Sequence, residues 1–200
     1  MHRWTLGLLS GTALAMTIAA SASAQPLSLP ATPNTTGLSA GLHVNTSAIR
    51  SPGSVTDMGG GLGLRISYGL NEKVAFYFNN DAATLSARLL DYAVMHTDFG
   101  VRYSLASGTS ATVPYVEGAF SRRTWNQAAY TNERAFTGSA ATLGGGMQHF
   151  INRRMALDAG LLVSYGTFTN ATLNGVPVAD YRGESVWSSR LNVGSRMYFR

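Results

Sequence analysis

Cysteine is absent from the 200 residues, so neither a disulfide framework nor a lipid-modified cysteine anchor is available. Charged residues make up only 12% of the chain, well below the ~25% of ordinary soluble domains. Lysine is nearly missing too: the positive charge rests on arginine, with Lys73 the single exception. Those arginines are scattered along the chain. The clustered basic runs that neutralise nucleic-acid phosphates are therefore lacking, and no nucleic-acid partner is expected. Past the N-terminal region no apolar run approaches ~18 residues, which excludes a transmembrane helix there.

What is present begins with a leader. His2 and Arg3 give a short positive start, Leu6 to Ala20 is apolar or small, and Ala22-Ser23-Ala24 has the small-x-small form of a signal-peptidase site. The run is shorter than the ~20 residues of a spanning helix, and nothing basic follows it, so it reads as a signal peptide over 1–24 rather than an anchor. The mature chain would start at Gln25, with 25–36 as a periplasmic N-terminal segment and 37–200 as one domain.

The rest of the sequence alternates. In the closing stretch Leu191, Val193, Met197 and Phe199 fall on one face and Asn192, Gly194, Arg196 and Tyr198 on the other. A period of two defines a strand with a dry side and a wet side. The same pattern predicts eight strands, near 37–48, 59–69, 73–80, 92–105, 113–125, 136–149, 154–166 and 186–199. Short connections (Gly69 to Glu72, Ala106 to Thr112, Phe150 to Arg153) alternate with long ones (Arg50 to Met58, Asp81 to Asp91, Asn126 to Ala135, Thr167 to Ser185). Short turns at one end and long loops at the other are the pattern of outer-membrane barrels, whose short turns face the periplasm.

Charges segregate by parity. Arg65, Asp98, Arg102, Glu117, Asp158 and Arg196 all lie opposite the apolar face, while Arg122 shares parity with Phe120 at the predicted outer rim, where it can snorkel. A soluble barrel would turn the same alternation inside out. The aromatics decide between the two: Tyr68, Tyr103 and Phe199 at one predicted rim and Phe78, Tyr165 and Trp187 at the other make interfacial girdles. Glycines on the polar face, among them Gly63, Gly160 and Gly194, suit a crowded interior. The fold class expected is all-β, an eight-stranded antiparallel up-and-down transmembrane β-barrel.

Several segments resemble the eight-stranded outer-membrane β-barrel superfamily, which includes OmpA-like transmembrane domains, OmpX-type barrels and opacity-type proteins. They are Gly61-Leu62-Gly63-Leu64-Arg65-Ile66-Ser67-Tyr68-Gly69, Asp98-Phe99-Gly100-Val101-Arg102-Tyr103, Pro114-Tyr115-Val116-Glu117-Gly118, Gly144-Gly145-Gly146-Met147-Gln148-His149-Phe150, Leu157-Asp158-Ala159-Gly160 and the closing strand. In order, they reach across most of the mature chain. The resemblance implies a Gram-negative-type outer membrane as location and its lipid and lipopolysaccharide as surroundings. It also implies insertion by the barrel-assembly machinery through the C-terminal strand. Members commonly end on the aromatic itself; here Arg200 follows Phe199. No peptidoglycan-binding domain follows the barrel pattern, so the tethering role of full-length OmpA-like proteins is not implied.

The six parity-segregated charges could line an ion path. Eight strands enclose little more than their own side chains, however, and three arginines facing three carboxylates satisfy one another, so a plugged interior is expected, with a small pore for ions or apolar solutes as the alternative. No enzyme activity is expected. Barrels that deacylate lipid A use a Ser–His pair, and His43, His96 and His149 lack a His-x-Ser context. No His/Asp/Glu spacing matches a metal set, and the Gly59-Gly60-Gly61-Leu62-Gly63 run leads into a strand without the Lys-Ser/Thr of a phosphate loop, so no cofactor is expected. Function is left to the outer loops, where Tyr130, Arg134, Phe168, Tyr181 and Arg182 form a candidate contact surface for a sugar or protein ligand.

Overall fold

A computed structural model describes residues 35–50, 55–86, 91–106, 110–129, 132–179, 181 and 183–199. The leader, Tyr130, Arg182 and Arg200 lie outside them. None of the described residues is helical. Eight long strands, β1 (Gly37–Arg50), β2 (Asp57–Gly69), β3 (Val74–Ser86), β4 (Tyr92–Ser104), β5 (Thr112–Ala129), β6 (Asn132–Phe150), β7 (Met155–Leu173) and β9 (Glu184–Tyr198), are joined by a two-residue strand β8 (Val176–Pro177) at the far end of β7. Each long strand pairs antiparallel with its sequence neighbour, and β9 closes onto β1. The expected eight-stranded up-and-down barrel is what forms.

The register fixes its dimensions. Stepping across strands from Ala75 through Arg102, Glu117, Gly144, Leu162, Arg190, Ser47 and Gly59 returns to β3 at Leu85, ten residues further on. Eight strands with that stagger tilt by roughly 40° to the barrel axis and leave an interior that side chains fill.

Alternation sorts the faces as a lipid-facing barrel requires. Leu42, Leu62, Phe99, Phe120 and Leu143 project outward and are 64–73% exposed, whereas the Arg65, Arg102, Arg190 and Arg196 side chains inside are no more than 6% exposed. This is the reverse of a soluble barrel. Outward residues also form rows of direct cross-strand partners. One row runs Phe78, Phe99, Phe120, Ala141, Tyr165 and Trp187; the next runs Asn80, Thr97, Arg122, Ser139, Thr167 and Ser185. Aromatic gives way to polar in a single step, and Arg122 stands on the polar side of it. The tilt makes these rows diagonal, so Phe78, fifth residue of β3, sits nearer the short-turn end. Its expected place at the outer rim is corrected, because β3 continues to Ser86.

The short turns are closed by side chains. Asn71 Oδ1 accepts from the Lys73 and Val74 amides, each at 2.8 Å, and Asn152 Oδ1 accepts from Arg154 and Met155 at 2.8 and 2.9 Å. The opposite end differs from expectation. Most of the stretches expected as long loops at 81–91, 126–135 and 167–185 continue the ladder, giving β5, β6 and β7 lengths of 18, 19 and 19 residues. Past the apolar belt the outward face turns polar, so the alternation fades while the hydrogen bonds persist. Asn174-Gly175, with φ of 52° and 78°, turns β7 into β8 as a two-residue hairpin.

Candidate functional site

The lumen is layered. At the short-turn end Val113, Phe150, Ala156 and Tyr198 form an apolar cluster; at the other end Ile49, Ala83, Leu85, Tyr92, Val94, Phe168 and Val186 form a larger one, with Trp125, Phe136 and Tyr181 packed against it. Polar and charged side chains occupy the span between.

In the layer toward the short turns, Arg65 grips Glu117 with both terminal nitrogens, Nη1 to Oε2 at 2.8 Å and Nη2 to Oε1 at 3.0 Å. Arg102, the direct register partner of Glu117, donates from Nε to Oε2 at 2.9 Å and from Nη1 to Asp158 Oδ2 at 2.6 Å. Arg196 completes the chain with Nη2 at 3.0 Å from Asp158 Oδ2. Tyr115 caps it: its ring lies 3.5 Å beneath the Arg102 guanidinium and its hydroxyl donates to Asp158 Oδ1 at 2.7 Å. The space left among these groups is about 20 Å³, room for about one water molecule. Five of the six expected charges, Arg65, Arg102, Glu117, Asp158 and Arg196, thus join in one continuous network.

Asp98, the sixth, belongs to a second network. Arg190 Nη1 lies 2.6 Å from Asp81 Oδ2 and 2.8 Å from Asp98 Oδ2, and Asn79 Nδ2 donates to the same two oxygens. His43 Nε2 is 2.5 Å from Asp81 Oδ1, and Ser121 Oγ donates to Asp98 Oδ1 at 2.5 Å. Gly63 makes the His43–Asp81 contact geometrically possible, since a Cβ there would lie 2.1 Å from both bonded atoms.

Asp81, Arg123 and Arg190 were not among the charges singled out from sequence. Asp81 falls just past the predicted end of the third strand, while Arg190 and Arg123 carry inward parity that the alternation rule would have shown. Arg123 crosses the lumen to donate from Nη1 to Val186 O and Ser188 Oγ, both at 3.3 Å, with its guanidinium 5.1 Å from the Phe168 ring centroid.

The candidate loop surface is not assembled as expected. Phe168 is a strand residue of β7, 2% exposed, turned inward to seal the mouth. Next to it Thr169 is an extra residue on β7, unpaired between the partners of Thr137 and Gly138 on β6, and this bulge shifts the parity so that Ala171 rather than Asn170 points inward beyond it. Tyr181 is half-buried, its ring 5.7 Å from Phe136. Arg134 is exposed on β6, opposite Gln127 and Leu173. Of the histidines, His149 Nδ1 bonds Thr112 Oγ1 at 2.9 Å near a turn, and His96 is buried. Among the described residues no three His, Cys, Asp or Glu side chains are grouped to hold a metal ion.

A scan against protein-family models finds no match, and neither does a search of curated proteins. Solved structures do match, eight-stranded outer-membrane barrels among them. Neisserial surface protein A aligns with a TM-score of 0.68 at 16% identity over 82% of this chain and 98% of its own. The attachment invasion locus protein Ail of Yersinia pestis aligns at 0.53 and 14%, covering 81% and 99%; outer membrane protein AlkL aligns at 0.54 and 15%, covering 85% and 93%. The chain shares the fold of these proteins.

Proposed function

We propose that this protein is an integral outer-membrane barrel with a plugged interior, acting as a structural or surface-interaction protein through the strands that outrun the bilayer. The observation that carries the plug is the continuous network Arg65–Glu117–Arg102–Asp158–Arg196, closed above and below by apolar clusters. A bilayer is crossed by ~9–11 tilted residues, so β5, β6 and β7 project well beyond it and present Arg134 and its neighbours. Export by the 1–24 leader, outer-membrane lipid and lipopolysaccharide as surroundings, and insertion through β9 by the barrel-assembly machinery belong to the same reading.

A sulfated sugar is the ligand class to test first. Ail has been solved with the heparin analogue sucrose octasulfate, and exposed Arg50, Arg122 and Arg134 stand toward the long-loop end here. Cells displaying the protein should be retained on immobilised heparin, less so with Arg134→Ala; no retention by the parent overturns the glycan ligand.

The rival reading is transport of ions or apolar solutes. In a planar bilayer the plugged barrel gives no steady openings. Steady openings that disappear in Arg102→Ala or Glu117→Ala would replace the plug with a pore.

A further inference from the structure

Arg123 and Arg190 cross the lumen in opposite directions, Arg123 from β5 to β9 and Arg190 from β9 to β3 and β4. Each uses only Nη1. Nε and Nη2 of both residues are buried without a hydrogen-bond partner, as are both ring nitrogens of His96, the direct register partner of Arg123. All three side chains are essentially inaccessible, at 0–1% exposure. The pattern is specific, because Nε and Nη2 form the edge with which a guanidinium forks an anion. Elsewhere in the lumen Arg65 spends both terminal nitrogens on Glu117. Here two forking edges stand without partners.

The charge points the same way. Between the apolar clusters the described residues place five arginines (Arg65, Arg102, Arg123, Arg190, Arg196) against four carboxylates (Asp81, Asp98, Glu117, Asp158). Among these side chains arginines outnumber carboxylates by one. The arginine without a carboxylate is Arg123, whose acceptors are a carbonyl and a hydroxyl. A buried guanidinium with no carboxylate in contact is costly, and one monovalent anion on it supplies the missing contact. A divalent oxyanion would overshoot that balance and would have to fit beneath the Phe168–Val186 apolar seal.

We infer that Arg123 and Arg190, with His96 beside them, hold one small monovalent anion of the halide class inside the barrel. The site stands apart from the surface role proposed above, and neither depends on the other.

The test uses the full chain folded in detergent, unfolded by heat in sodium chloride or in sodium gluconate of equal ionic strength. Chloride at about five times its dissociation constant should raise the midpoint by ~2–4 °C. Arg123→Met should abolish the difference, and Arg122→Met, altering the outward-facing neighbour, should keep it. Equal midpoints of the parent in the two salts, or an undiminished chloride effect in Arg123→Met, overturn the site. Should Arg123→Met not fold, crystals of the parent grown in bromide decide: an anomalous peak touching both guanidinium edges supports the site, and its absence there refutes it.

Discussion

Arg102 and Glu117 face each other as direct register partners on β4 and β5, and the 2.9 Å contact between Nε and Oε2 joins the two halves of the lower charge network. Glu117 holds Arg65 and Arg102, as Asp158 holds Arg102 and Arg196, so the network is sensitive at both carboxylates. Glu117→Ala leaves Arg65 and Arg102 short of a counter-charge in a dry interior and is expected to cost about 3–5 kcal/mol. Urea unfolding of the vesicle-reconstituted protein measures this. Glu117→Ala paired with Arg65→Met should recover part of the loss, because the arginine left with no carboxylate is then gone while Arg102 and Arg196 both keep Asp158.

The outward face carries a depth-dependent prediction. Leu143 is 73% exposed in the apolar belt, and Ser139 lies four residues along the same face in the polar row. Leu143→Arg should destabilise the folded barrel by roughly 2–4 kcal/mol, and Ser139→Arg by about 0–1 kcal/mol. Unfolding from lipid vesicles compares them. Equal costs would mean that the belt does not end between these two residues.

Glycine content inside the barrel has a steric test. A Cβ on Gly63 would sit 2.1 Å from Asp81 Oδ1 and His43 Nε2, whereas one on outward-facing Gly118 would meet Leu143 Cδ2 at 3.5 Å, an ordinary contact. Gly63→Ala should therefore lower the heat-unfolding midpoint by several degrees, and Gly118→Ala should leave it nearly unchanged. Smaller loss at Gly63 than at Gly118 would contradict the packing.

The outer seal predicts a packing effect. Trp125 lies among Tyr92, Phe136 and Phe168, with ring centroids 4.5, 5.1 and 6.0 Å away. Trp125→Ala should cost about 3–5 kcal/mol and admit solvent to the Arg123 level. The unfolding midpoint gives the first effect, and faster amide exchange at the outer ends of β4 and β9 gives the second.

Much of this architecture is written in the alternation. All eight strands, the inward parity of Arg65, Asp98, Arg102, Glu117, Asp158 and Arg196, and the crowding that glycine relieves are legible because a strand repeats every two residues. Three things are not. Strand ends past the apolar belt are hidden, since residues such as Thr84 and Thr167 keep the ladder without an apolar face, and Asp81 and Phe168 read as loop residues for that reason. The inward apolar clusters run against the rule that reads apolar as outward, so Leu85, Val94 and Val186 gave no sign of a seal. Partnerships such as Arg65 with Glu117 reach across the lumen, and that reach depends on a ten-residue stagger set by the whole barrel. The Asn174-Gly175 hairpin falls inside the stretch that the alternation reads as one long loop.

The central claim is that apolar side chains face lipid and charged ones face inward. Gel migration of the membrane-extracted protein, unheated against boiled, tests it most directly. One species that is recovered from the outer-membrane fraction and shifts between the two lanes is the expected result, since a closed barrel with a paired charged interior resists detergent until heated. Identical migration of a protein found in the soluble periplasmic fraction would contradict it and would require Leu42, Phe99, Phe120 and Leu143 to pack inward.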